Sequence, residues 1–216
     1  MASKKSLKIG IVVGLKSEER SIPKNNNIFV VRGYGQEAYR AAKKVLKNNI
    51  DLIISFGLAG GMNPKIKNSE IIIPKKIFNE KFKFHKTSYF FNSYLEKKCK
   101  EKVISKVNLI TSQKILNKKM NTSLIDAVDM EADFVFKAAR EHKVPFSSVK
   151  VIFDDLKNPI PNFLISIINT KGQLKALNLF FLILKKPYRI KNLIEINKIY
   201  RKSMRKLTSL AQKLFL

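Results

Sequence analysis

Four acids, Asp126, Asp129, Glu131 and Asp133, crowd the stretch "IDAVDMEADFVF" (125–136) in a chain otherwise dominated by lysine. An apolar run leads into them and a helical pattern follows, so Glu131 falls in the first turn of a helix that leaves a strand. Helix-dipole attraction alone favours an acid there by about 0.3–1 kcal/mol. Two more acidic groups fall at strand ends. Glu18 and Glu19, with Arg20 behind them, follow the apolar run 7–15, and Asp154 and Asp155 close the run 146–153. In open α/β sheets ligands bind beyond the carboxyl ends of the strands. Carboxylates gathered there suit proton transfer and the stabilisation of a cation-like transition state. "GLAGG" (57–61) adds a stretch without bulky side chains except Leu58, where the backbone at Ala59 and Gly60 can approach a ligand. Taken singly, each feature also has an ordinary role, as a helix-start acid, a glycine turn or a strand-end "DD". Their order and spacing along the chain give them weight together.

The elements that must position these groups follow from apolar patterning. "LKIGIVVGL" (7–15) reads as a buried strand and "NIFVVRGYG" (27–35) as a strand ending in glycines. "QEAYRAAKKVLKNN" carries apolar residues at Ala38, Ala41, Ala42 and Val45, a helical spacing. "DLIISFGLAGGMNP" (51–64) reads as a strand broken by a glycine-rich loop, "SEIIIPKKI" (69–77) as one strand and "VNLITSQ" (107–113) as another. Residues 79–102 show too little periodicity to assign. A short strand at 124–129 feeds a helix over 130–142, with Ala132, Val135, Phe136 and Ala139 on one face, and "FSSVKVIFDD" (146–155) returns as a strand. Strands alternating with helices predict an α/β domain with a central mixed, largely parallel sheet. The chain reads as one domain, with an α/β core over 7–155 and a basic helical extension over 162–216.

Composition narrows the function classes. At 216 residues and 45% hydrophobic content the chain is long enough to bury a core. The 43 Lys+Arg against 16 Asp+Glu give a net charge of +27, which favours nucleic acid or an anionic membrane surface as partner, although the lysine travels with Ile and Asn along the whole chain, as compositional bias would also produce. No zinc-finger, helix-turn-helix or RNP-type signature supports nucleic acid. A single cysteine, Cys99, and two unclustered histidines, His85 and His142, predict neither disulfide nor metal site. The apolar run near the N-terminus is short and is followed by "KSEER", which argues against an export signal, and no segment reaches the ~18–20 apolar residues of a membrane span.

In order, "IGIVVGLKSEER", "VVRGYGQEAYRAAKKVL", "DLIISFGLAGGMNPKIKNSEIIIP", "AVDMEADFVFKAAREHKVPF" and "SSVKVIFDD" resemble the purine nucleoside phosphorylase and nucleosidase superfamily. Within it, Gly14, Leu15, Glu18 and Arg20 match the GLxxExR form of the hopanoid-biosynthesis-associated nucleoside phosphorylase-like proteins, which also carry a basic, Leu-rich C-terminal extension. The resemblance implies a three-layer phosphorylase/hydrolase-like fold and release of adenine from a 5′-substituted adenosine, in that group an adenosylated triterpenoid lipid, with no cofactor. It implies that Glu131 binds the ribose hydroxyls, that Met130 packs on the sugar and that Asp154 protonates the purine. Glu18 or Glu19 positions the attacking water: the spacing from Gly14 favours Glu19 and the GLxxExR form favours Glu18. Ser112, Ile115 and Leu116 are expected to line the base pocket and Arg20 to touch substrate. Leu58 and Ser55 stand where phosphate-using relatives carry a hydroxyl or an arginine, so water is the expected nucleophile. Asp129 is expected to cap the helix, with Asp126 and Asp133 on the surface.

The extension joins an apolar stretch, "LNLFFLIL" (177–184), to a basic helix over 189–216. It is expected to cover the core or a homodimer interface, and its basic amphipathic character fits peripheral contact with an anionic membrane. The expected location is the cytoplasm, at the inner face of the membrane. Two other readings stay open at this level: a soluble nucleosidase of the methylthioadenosine/S-adenosylhomocysteine type, and a nucleic-acid-binding protein on an α/β scaffold.

Overall fold

The computed structural model describes residues 6–113, 124–161 and 189–216. Five parts of the chain build the site's frame: β1 (Ile9–Val13), α1 (Lys16–Ser21), β2 (Ile28–Arg32), α2 (Glu37–Leu46) and β3 (Leu52–Gly61). Short elements follow, β4 (Ile71–Ile72), β5 (Lys76–Phe78), β6 (Phe84–Lys86), α3 (Tyr89–Cys99), β7 (Val103–Ile104) and β8 (Asn108–Thr111). The chain closes with β9 (Ala127–Asp129), α4 (Ala132–Glu141), β10 (Phe146–Asp154) and the long α5 (Arg189–Phe215).

One ten-stranded sheet runs in the order β6-β5-β8-β9-β3-β10-β4-β7, with β1 joining β3 and β2 joining β1. β1, β2, β3 and β10 are mutually parallel, with Ile11 opposite Val30 and Ile54, and Ser148 opposite Ser55. Their carboxyl ends therefore lie at one edge. β9 runs antiparallel to β3, pairing Val128 with Gly60, so the residues after Asp129 travel back along β3 toward Leu58 and Gly57. That reversal brings the Glu131 turn to the same edge.

Helices cover both faces, as the mixed α/β prediction requires. Ala38, Ala42 and Val45 of α2 and Ala132, Val135, Ala138 and Ala139 of α4 pack on Val12, Ile53 and Ile152. On the other face Leu95 and Cys99 of α3 and Leu207, Leu210, Ala211, Leu214 and Phe215 of α5 meet Ile11, Ile54, Phe56, Val149 and Val151. The Phe56 and Phe215 rings meet edge-on at 5.4 Å. The apolar residues of α5 that enter this layer recur at 3- and 4-residue steps, the stripe of a core-facing helix. Its first half leaves Ile190 and Ile194 exposed. Among the described residues no helix is long and apolar enough to cross a membrane.

Three expectations are corrected. β3 continues through the glycines instead of breaking into a loop, because β10 pairs with it as far as Gly60. Residues 69–77 form two strands rather than one, divided by Pro74, which has no N–H for a ladder. The unassigned 79–102 stretch holds β6 and α3, whose N-cap Ser88 accepts the Phe91 amide at 3.4 Å. Residues 162–188, including the apolar part of the extension, and 114–123, including Ile115 and Leu116, lie outside the described residues.

Candidate active site

β1 ends at Val13, and the chain turns through Gly14 and Leu15 into α1. Glu18, at the third position of that helix, folds back to accept the Leu15 amide at 2.8 Å, an ordinary capping contact. It does more than cap. The same oxygen accepts the Gly14 amide at 3.0 Å, and the other oxygen accepts the Leu58 amide of β3 at 2.8 Å. Three amides occupy most of the roughly four acceptor positions of a carboxylate and leave about one for a water. Glu18 is 4% exposed. Burial raises its carboxyl above the usual range; the Lys150 charge and the three amides oppose this without cancelling it. A carboxylate whose proton affinity is raised by burial and whose position is fixed by backbone is suited to take a proton from water.

Glu131 is 7% exposed and lies on the far side of Gly14, whose added Cβ would stand 2.7 Å from Glu131 Oε1. The Gly35 amide donates to Oε1 at 3.3 Å. Burial, with the charges of Asp129 and Glu18, pushes the Glu131 carboxyl up to about 8 against the pull of Lys150 and the Gly35 amide. Tyr34 lies beside it, its hydroxyl donating to Met130 Sδ at 2.8 Å; burial and the Glu131 charge push that phenol up to about 12. Asp129 is not the N-cap of α4, a position Glu131 holds; it lies two residues earlier, accepts the amide of Ala132, the first helical residue, at 2.9 Å, and also accepts from the Thr111 hydroxyl at 2.7 Å. Its remaining partner is one the sequence reading missed: Lys150 Nζ, 2.8 Å from Asp129 Oδ2. Lys150 sits mid-β10 opposite Gly57 and is 1% exposed, the one buried cation among the described residues.

Asp154 closes β10, after an irregularity in the ladder between Ile152 and Asp154. It is buried, and a Cβ on Gly60 would stand 2.9 Å from its Oδ1. Two residues of strand, ~7 Å, separate Gly60 from Leu58, whose amide holds Glu18. Glycine thus has the same use three times: Gly14 makes room for Glu131, Gly57 for Glu18 (2.6 Å to its Oε1) and Gly60 for Asp154. Gly57 also has φ +153, a conformation that L side chains rarely adopt. α5 reaches the same edge. The Tyr200 hydroxyl donates to Ser17 Oγ at 2.7 Å, and its ring meets Phe153 edge-on at 5.8 Å. An open groove of about 450 Å³, lined in part by Tyr200, Arg201 and Met204, runs along α5 from this contact.

Other predicted residues are placed differently. Glu19 is half-exposed and faces Arg32 at 3.4 Å, so of the two acids only Glu18 joins the buried group. Arg20, about 200° round the helix from Glu18, is exposed. Ala59 packs its methyl into the core, leaving its backbone as the part available to a ligand. Ser112 is buried and donates to Glu80 Oε1 at 3.1 Å. Asp133 is buried rather than on the surface, and Asp126 is half-exposed. Asp126 ties Asn63 (2.7 Å) to the Asn108 amide (2.9 Å), and Asp133, 2% exposed, pairs with Lys137 at 2.6 Å. His85 stacks on Phe136 at 4.2 Å. Among the described residues no group of three or more potential ligands stands ready for a metal ion.

The expected mixed sheet with helices on both faces is present, and it gathers buried carboxylates at one strand edge. The sequence profile of the phosphorylase superfamily matches residues 9–118, and the chain belongs to that superfamily. Its fold is shared by futalosine hydrolase of Helicobacter pylori (TM-score 0.64, 15% identity, 98% of this chain and 100% of that one). It is also shared by the 5′-methylthioadenosine/S-adenosylhomocysteine nucleosidase of Neisseria meningitidis, solved with methylthio-immucillin-A (TM-score 0.66, 11% identity, 96% and 98%). The S-adenosylhomocysteine nucleosidase of Streptococcus pyogenes superposes with TM-score 0.63 at 13% identity, over 100% of both chains. No curated protein sequence matches the chain.

Proposed function

We propose that the protein is a nucleosidase that releases adenine from a 5′-substituted adenosine by hydrolysis. The observation that carries this reading is the pair of buried carboxylates, Glu18 and Glu131, on either side of Gly14 at the strand edge that also holds Asp154. In the reaction, water adds to C1′ of the ribose while the C1′–N9 bond breaks and its electron pair passes to the purine. Glu18 takes the proton of the water. Asp154 gives its proton to the purine ring, so that the base leaves neutral. Glu131 accepts from the ribose hydroxyls and stabilises the cation-like sugar, as a carboxylate does for a glycosidic transition state. Exchange with solvent then removes the proton from Glu18 and restores the one on Asp154.

Water is favoured over phosphate by charge. The Leu58 amide, which an anion could have used, is taken by Glu18, and Lys150 is engaged by Asp129. Among the described residues a phosphate dianion would meet three buried carboxylates without the charge-assisted donors it needs. For the 5′ substituent we propose an apolar group. The Tyr200–Phe153 contact beside Ser17 supports this. A lipid-linked, adenosylhopane-like nucleoside is the extreme case; the exposed Ile190 and Ile194 on the basic α5 would suit its delivery from an anionic membrane.

Adenine release from adenosine and from 5′-alkylthio derivatives of increasing chain length tests the reading, in phosphate-free buffer and with added phosphate. Adenine and free sugar are expected without phosphate, with kcat/KM rising as the 5′ group lengthens. Strict phosphate dependence, or no release from any member of the series, would overturn it.

A further inference from the structure

We propose that Lys150 is a positioning residue that sets how many protons the buried acids hold, its ammonium serving as their one interior counter-charge among the described residues. The proposal deepens the nucleosidase reading and rests on it for its functional meaning. The geometry is specific. Lys150 projects from the middle of β10, opposite Gly57, where no β3 side chain competes for the space. It is paired at 2.8 Å with Asp129, which itself accepts the amide of Ala132, the residue after Glu131. The acids whose charges act on it come from three elements, Glu18 on α1, Asp129 on β9 and Glu131 at the start of α4, with Tyr34 between β2 and α2 beside Glu131.

Three carboxylates around one ammonium cannot all ionise in a dry interior, since like charges at short range disfavour each other's charged forms. Burial alone would lower the Lys150 ammonium, yet Asp129, Glu131 and Glu18 together outweigh burial and raise it, so it stays charged. Its charge lowers both glutamates, so without it each would hold its proton to higher pH. The proposed hydrolysis needs an anion to receive the proton of water and another beneath the cation-like sugar. Lys150 supplies the condition under which such anions exist, without touching substrate.

The test is a carbon-13 titration of the glutamate side-chain carboxyls in the full-length protein, paired with kcat over the same pH range. The wild type should show one glutamate midpoint near 8. Lys150→Met should raise that midpoint by about one unit or more, a tenfold gain in proton affinity, and should move the acid limb of the kcat profile the same way. Lys150→Arg, which keeps the charge, should hold the wild-type midpoint. Should Lys150→Met fail to fold, Asp129→Asn serves instead. It frees the ammonium for the two glutamates and removes a like charge, so the midpoint should fall. An unmoved midpoint in folded Lys150→Met, or an unmoved or rising one in Asp129→Asn, would overturn the proposal. The titration needs no substrate, so an absence of adenine release sinks the nucleosidase reading and leaves the carbon-13 result standing. Activity with an unmoved midpoint does the reverse.

Discussion

Replacing Glu131 by glutamine is expected to remove nearly all adenine release while making the folded protein more heat-resistant above pH 8. Both effects come from one group. Burial, with Asp129 and Glu18 nearby, pushes the Glu131 carboxyl up to about 8 from an ordinary value of 4.5. Between those two pH values the folded state keeps a proton that the unfolded chain has lost. Stability is therefore fully present below about 4.5 and drains as pH rises through about 8. Glutamine has nearly the same shape and cannot ionise, so it escapes that loss. The melting-temperature difference between variant and wild type should be small at pH 4.5, grow with pH, and level off above 8. Activity should fall by ~10²–10³-fold, the scale on which one preorganised electrostatic contact acts. Thermal melts across pH 5–9, beside kcat at each pH, check both halves. A pH-independent difference in melting temperature would mean that Glu131 is not the strained anion described above.

Asp154→Asn should cut kcat by ~10²–10⁴-fold, the range of general acid catalysis, with KM little changed. Asparagine keeps the shape that Gly60 accommodates and removes the proton that the purine must receive. The diagnostic comparison is a riboside whose leaving group needs no proton, such as p-nitrophenyl riboside. There the deficit of the variant should shrink to a few-fold. An equal loss on both substrates would assign Asp154 a structural role instead.

Much of this site was legible in the residues themselves. The strand-to-helix turn carrying Glu131 and the strand ending at Asp154 follow from apolar patterning, and the resemblance to the phosphorylase superfamily gave them roles. Glu18 and Glu19 were not separable by spacing, because the distinction lies in a 100° step round a six-residue helix that turns one acid inward and the other toward Arg32. Lys150 was hidden by abundance: among 43 lysines and arginines, one lysine in "SSVKVIF" carries little signal. The clue was present, since a charge flanked by Val149 and Val151 in a strand buried on both faces demands a partner. α3 escaped because its buried face includes Asn92, which bonds Thr87 at 2.9 Å and Ser147 at 2.7 Å. A polar residue there blurs the helical period. Pro74, which has no N–H for a ladder, divides an isoleucine-rich run whose apolar patterning alone predicts one continuous strand.

The central claim is that Glu18, Glu131 and Asp154 act on one purine riboside. A crystal structure of the protein with a non-cleavable 5′-alkylthio C-nucleoside analogue of adenosine tests it most directly. The ribose hydroxyls should lie within hydrogen-bond distance of Glu131, a water should sit between Glu18 and C1′, and the purine N7 should face Asp154. An analogue seated elsewhere, or one that reaches Glu131 with its base turned away from Asp154, would contradict the account.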